Sequence, residues 1–277
     1  MATHNIFTGY AQVITLPRVV KNEDGEYVRA SCGVVTLRGK RDYGNILDTI
    51  RLDTPVLRTD DPIQCREIEN WKLNDMVEIK GPITSREITR TYICPECGAE
   101  NKIQGVATFI HPIFCGRRES GITKEEGYKL LQYRSEISNN VTLIGMLMGD
   151  PSFRETEKGV KIGKYQVAVM RRYRIKEDEP SRKADFIWIK SFGRIAEKDE
   201  KFLKKGTLMY IDGVLQTKKY EKEINCASCN YKITADEVST EVVPYACEYL
   251  RDYIPQKEDD DNIDPEKKAE DIFNNLF

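Results

Sequence analysis

Seven residues from Phe186 to Phe192 read Phe-Ile-Trp-Ile-Lys-Ser-Phe. In an extended strand successive side chains point to opposite faces. Phe186, Trp188, Lys190 and Phe192 then share one face, and Ile187 and Ile189 take the other, which suits a core. Three aromatics interleaved with a cation suit a single-stranded nucleic acid. Each ring can stack on a base, worth about 1–3 kcal/mol per base, while the ammonium meets phosphate. The flanking segment adds cations: Arg154, Lys158, Lys161, Lys164, Arg171, Arg172 and Arg174 stand against two acids between 154 and 174. Arg171-Arg172-Tyr173-Arg174 and Lys218-Lys219-Tyr220 again place a ring beside cations. The competing reading of such a face is packing beneath another subunit or loop.

The cysteines offer a second chemistry. Cys94-Pro95-Glu96-Cys97 and Cys226-Ala227-Ser228-Cys229 are CxxC turns, which let two thiolates chelate one metal ion. Cys115 follows the first pair and Cys247 the second at the same interval. Three matched cysteines per half predict up to two structural zinc sites per chain, with His111 as a candidate fourth ligand in the first; its counterpart is Val243. Cys32 and Cys65 are spare thiols. Only two histidines, His4 and His111, occur in the chain, so a histidine-rich hydrolytic metal site is excluded. The alternative is a set of metal-free, buried thiols.

The elements that must position these residues come twice. Each CxxC turn follows, at one fixed interval, a glycine that closes an apolar strand: Gly81 of Met76–Gly81 before Cys94, and Gly213 of Leu208–Gly213 before Cys226. A helical stretch precedes each strand, Ile63–Leu73 and Arg194–Lys204. Repeated spacing of this kind marks a duplicated unit. Two five-stranded units with a helix between the third and fourth strands predict an all-β chain of two tandem OB-type barrels. The expected divisions are a first barrel over residues 1–120, a helical connector over 121–137 and a second barrel over 138–254. Each barrel carries a zinc-ribbon-like CxxC insertion in the loop between its last two strands. Thr123-Lys124-Glu125-Glu126 has the form of a capping box and starts the connector helix.

The 277 residues are 40% hydrophobic and 32% charged, enough for packed cores beneath a heavily solvated surface. No run of 18 apolar residues is present, which excludes a helical membrane span. The first residues lack a signal-peptide pattern, so a cytoplasmic, nucleoid-associated protein with reduced thiols is expected. The net charge of −2 hides an asymmetry: residues 256–277 hold eight acids and three lysines, a net of −5, leaving +3 on the rest. The acidic stretch, with few apolar groups, predicts a disordered tail over 255–277.

Residues 139–223 resemble the bacterial single-stranded DNA-binding proteins. The matching pieces are Asn140-Val-Thr-Leu-Ile-Gly145, Asp150-Pro151, Phe192-Gly-Arg-Ile-Ala-Glu197, Leu203-Lys-Lys-Gly206 and Gly213-Val-Leu-Gln-Thr-Lys-Lys-Tyr220. The resemblance implies a DNA path over four aromatic positions, here Tyr173, Phe186, Phe192 and Tyr220. It implies an assembly of four barrels, hence a homodimer of a two-barrel chain. It also implies an acidic tail whose apolar tip, here Ile272, Phe273, Leu276 and Phe277, docks onto replication and repair proteins. The first half resembles the family only through the repeat. Ile88 stands where the second half has Tyr220, and Lys40, Arg41 and Tyr43 are its best candidate contacts.

The expected function is sequence-independent binding of single-stranded DNA, without catalysis. An RNA-binding barrel protein with zinc ribbons is the alternative, because stacking does not separate RNA from DNA. A purely structural adaptor conflicts with the aromatic and basic face. An enzyme would need a phosphate-binding Gly-Lys-Ser/Thr loop, a ligase lysine motif or clustered acids; the sequence has neither such loop nor motif, and its acids are scattered or in the tail.

Overall fold

In a computed structural model, which describes residues 4–39, 51–176 and 184–251, the chain is mostly strand. The tail, with Ile272, Phe273, Leu276 and Phe277, lies outside the described residues, as do Lys40, Arg41 and Tyr43. In order, the elements are β1 (His4–Val13), β2 (Arg18–Lys21), β3 (Tyr27–Leu37), β4 (Leu52–Asp53), β5 (Val56–Thr59), α1 (Pro62–Glu69), β6 (Met76–Gly81), β7 (Ile83–Ile93), β8 (Glu100–Ile110) and β9 (Phe114–Glu119). There follow α2 (Lys124–Tyr133), α3 (Ser135–Ser138), β10 (Asn140–Leu147), β11 (Ser152–Glu155), β12 (Lys161–Met170), β13 (Ala184–Phe192), α4 (Arg194–Phe202), β14 (Leu208–Asn225) and β15 (Lys232–Arg251). No described helix is long and apolar enough to cross a membrane.

The same pairing scheme occurs twice. In the first half β1 pairs with β3 and β6, β3 with β5, β6 with β9, and β5 runs parallel to β8. In the second half β10 pairs with β12 and β14, β12 with β13, β14 with β15, and β13 runs parallel to β15. The helix α1 or α4 sits between the third and fourth strands of each. Gly81 and Gly213 are needed for the same reason: a Cβ there would lie 2.1 Å from the His111 carbonyl oxygen and 2.2 Å from that of Val243. Asn5 and Asn139 are matched too. Each side-chain amide exchanges two hydrogen bonds with one backbone residue, Ile83 at 2.8 and 2.9 Å and Leu215 at 3.0 and 2.9 Å.

The halves join edge to edge. β1 pairs antiparallel with β10 from His4↔Ile144 to Thr8↔Asn140. A single buried cluster runs through both, from Trp71 and Ile79 to Ile187 and Leu215. Between them, Thr123 caps α2 with the expected capping box: its hydroxyl accepts from the Glu126 amide, and the Glu126 carboxylate accepts from the Thr123 amide.

Each CxxC segment lies at the turn of a two-stranded extension. β7–β8 and β14–β15 are long hairpins, and the CxxC turns are their tips. The alternation along 83–93 and 100–110 keeps the ladder going where the sequence reading ended the strand at Gly81.

Candidate nucleic-acid interface and metal centre

β13 alternates as its residue types require. Asp185, Ile187, Ile189 and Ser191 are buried, whereas Trp188 and Phe192 are each 37% exposed and Phe186 and Lys190 half-buried. Register with β12 sets Gln166 opposite Trp188 and Lys164 opposite Lys190. The Lys164 ammonium lies 4.8 Å from the Trp188 ring centre, and that of Lys190 5.6 Å from the Phe192 ring centre. Rings and cations are therefore interleaved, as a stacked and phosphate-bearing strand demands.

The face continues across the sheet. Glu241 of β15 reaches Lys164 at 3.6 Å and Lys190 at 3.7 Å. Gln216 of β14 lies opposite Glu241, Lys218 opposite Ser239 and Tyr220 opposite Glu237. Directly opposed residues of an antiparallel pair share a face. Lys218 and Tyr220 therefore extend the strip begun by Trp188, and Tyr220 is 43% exposed. Lys219 points to the other side. Arg154 on β11 and Arg172 and Arg174 after β12 are exposed at the margin. Sequence reasoning missed Glu241, an acid among the cations, because it is distant in the chain.

Two expected contacts are engaged elsewhere. The Arg171 fork closes on Asp185, with Nε 2.8 Å from Oδ2 and Nη2 2.6 Å from Oδ1, almost fully buried. The Tyr173 hydroxyl donates to the same carboxylate at 2.9 Å, and its ring stacks on His111 at 5.5 Å. Both belong to the junction between the repeats. On the offset that carries Cys226 onto Cys94, Val56 and Arg58 of the first repeat hold the places of Trp188 and Lys190. Arg58 lies over Phe109, so this half presents no matching row of rings.

The cysteines group differently from their spacing. Cys94, Cys97, Cys226 and Cys229 form one cluster, with all four sulfurs within 4.8 Å of one another. Cys94 Sγ is 3.6 Å from Cys229 Sγ, and Cys97 Sγ is 3.6 Å from Cys226 Sγ. Two predicted sites thus become one, shared between the repeats. Cys115 and Cys247 are corrections: both are buried in the main core, and burial first of all drives their thiols well above the ordinary range. His111 is a correction too. It is buried against Tyr173 with Nε2 3.9 Å from Asp60, outside the cluster, and burial lowers its pKa.

Each CxxC turn is wound alike. The Gly98 amide donates to the Cys94 carbonyl and the Asn230 amide to the Cys226 carbonyl, both at 2.9 Å. Gly98 and Asn230 occupy the same left-handed position, φ +71° and +59°. The Ser228 amide aimed at its sulfur, helped by that of Cys229, draws the Cys226 thiol down to about 6 against the upward push of burial. A tetrahedral ion about 2.3 Å from each sulfur would set sulfurs near 3.8 Å apart, and this cluster fits.

Comparison with known proteins agrees. The model of the single-strand binding protein family matches residues 138–240. Single-stranded DNA-binding protein 2 of Staphylococcus aureus strain Mu50 is 37% identical over 100 residues, which are 36% of this chain and 70% of that protein. Single-stranded DNA-binding protein A of Bacillus subtilis strain 168 is 41% identical over 85 residues, 31% of this chain and 48% of the relative. The wild-type single-stranded DNA-binding protein of Thermus aquaticus superposes with a TM-score of 0.61 over 93% of this chain and 98% of its own, at 14% identity, so the likeness is one of fold.

Proposed function

The chain belongs to the single-strand binding protein family, and on that premise we propose that it binds single-stranded DNA without sequence preference, protects exposed strands and catalyses nothing. The observation that carries the reading is the strip from Lys164 over Trp188, Lys190 and Phe192 and across Glu241 to Lys218 and Tyr220. Rings take bases, lysines take phosphates, and both terms are indifferent to sequence. Phe186, Arg154, Arg172 and Arg174 border the path.

Within the same proposal, the repeated pairing scheme supports two tandem OB-type barrels over 1–120 and 138–254, linked through 121–137. A zinc ion suits the four-sulfur cluster, since thiolates favour soft or borderline ions and four of them complete a closed structural site. Two chains pair to give four barrels, and the acidic tail brings replication and repair proteins through Ile272, Phe273, Leu276 and Phe277.

Tryptophan fluorescence tests the strip directly. Trp188 lies on it, whereas Trp71 is buried with its Nε1 donating to Glu67 at 3.2 Å. Titration with oligothymidylate is expected to quench Trp188 strongly, with weak response to duplex or to matched RNA and partial release by salt. Quenching by RNA as strong as by DNA would move the reading to RNA. Absence of quenching by oligothymidylate at low salt would overturn it.

A further inference from the structure

The two hairpin tips meet at their CxxC turns. The apolar cluster there holds Ile224 and Ile233 with Cys94 and Cys226, flanked by Tyr92, Ala99, Ile103 and Ala235. Asn101 of the first repeat donates from its side chain to Cys226 Sγ at 3.6 Å and accepts from the Ala227 amide at 3.0 Å. Further down, Glu237 of β15 is buried, ion-paired with Arg90 and bonded to the Tyr92 hydroxyl, both on β7. A two-stranded hairpin is marginal by itself in water, and so small an apolar cluster adds little.

Glu237 is the residue directly opposite Tyr220. The far end of the proposed DNA path is thus positioned by groups of the first repeat, which itself lacks the aromatic row. We infer that a single zinc ion, bound by Cys94 and Cys97 of one repeat and Cys226 and Cys229 of the other, clasps the two hairpins and so holds Tyr220 and Lys218 in line with Trp188. This rests on the single-strand reading above. The first repeat then serves binding through its hairpin, as a brace for the DNA strip of the second.

The clasp follows from geometry on both sides. The paired turns repeat each other bond for bond, each offering one buried and one exposed sulfur. Each pair alone supplies only two ligands, and the four together complete a tetrahedron. Sulfurs 3.6 Å apart across the repeats are too distant for a disulfide and suit a shared ion.

The test uses the full chain, reconstituted with zinc chloride under reducing conditions and freed of excess ion. Metal analysis is expected to give one zinc per chain, lost in Cys97→Ser/Cys229→Ser. Affinity for oligothymidylate should fall several-fold when a chelator strips the wild-type protein, and return on adding zinc chloride. Tyr220→Ala should weaken the loaded protein several-fold and the stripped protein hardly at all. Zero or two ions per chain would overturn the clasp. Equal losses from Tyr220→Ala in both forms, or no change of affinity on stripping, would overturn its coupling to DNA. If loaded protein never responds to oligothymidylate, the single-strand reading and the coupling both fall, while the ion count still decides the clasp separately.

Discussion

Asp185 of the second repeat accepts a hydrogen bond from the Ser85 backbone N–H of the first, 3.1 Å away, while the Arg171 fork grips the same carboxylate. The Ser85 hydroxyl in turn accepts from the Phe186 amide at 3.1 Å. The mirror arrangement joins the repeats in the other sense: Asp53, gripped by Arg38, accepts from the Thr217 amide at 2.8 Å, and the Thr217 hydroxyl accepts from the Thr54 amide at 2.7 Å. Each repeat thus offers a buried ion pair to a strand of the other.

Arg171 is consequently a structural cation. Removing one partner of a buried pair leaves the other charge uncompensated, at about 3–5 kcal/mol. Arg171→Ala is expected to lower unfolding stability by that order, read by urea titration, with little change in oligonucleotide affinity at temperatures where it stays folded. A large loss of affinity with unchanged stability would return Arg171 to the DNA path.

Glu241 competes with phosphate for Lys164 and Lys190, which it meets at 3.6 and 3.7 Å. Glu241→Gln is expected to tighten oligothymidylate binding at low salt. It should also steepen the salt dependence by about 0.7 in log–log slope for each lysine freed, or about 1.4 for both. A slope equal to wild type would show that the lysines do not meet phosphate.

Much of this strip was legible in the sequence because strand alternation is local: Ile187 and Ile189 against Phe186, Trp188 and Phe192 leave one solution. The duplication was legible because one constant offset carries Gly81 onto Gly213, Cys94 onto Cys226 and Cys115 onto Cys247. The cysteine grouping was not, because interval along the chain is not distance in space. The strand β8, from Glu100 to Ile110, lies between Cys97 and Cys115, and at about 3.3 Å per residue it carries Cys115 roughly 36 Å away. Reading the alternation of 83–93 and 100–110 as strand would have ruled out the three-cysteine site. Arg171 and Tyr173 misled for the opposite reason: a cation beside a ring reads alike whether it faces phosphate or a buried aspartate.

Trp188 and Phe192 stand on one face of β13, about 13 Å apart along the strand, each with its own lysine. Separate partners at that distance favour additivity. Trp188→Ala and Phe192→Ala should each cost about 1–3 kcal/mol of oligothymidylate binding, and the double variant the sum within about 0.5 kcal/mol. Affinity by filter binding or anisotropy, which does not need the tryptophan, checks this. A double variant no worse than either single one would mean that the two rings act as one unit and not as separate stacking sites.

His111 makes the junction sensitive to acid. Burial lowers its pKa from the ordinary 6.5, partly offset by Asp60, while Arg171 adds to the lowering. The folded state therefore favours neutral imidazole more than the unfolded state does. Above pH 6.5 both states are neutral and the full stability is present. As pH falls from there towards the folded value, the unfolded chain takes up a proton that the folded chain refuses, and stability declines by at most about 1.4 kcal/mol per pH unit. Asp60, Asp61, Arg171 and the stacked Tyr173 are the groups around the ring. Urea midpoints at pH 7.5 and 5.5 should therefore differ more for wild type than for His111→Gln, which has no such proton to bind. Equal shifts in the two proteins would place the acid sensitivity in other groups.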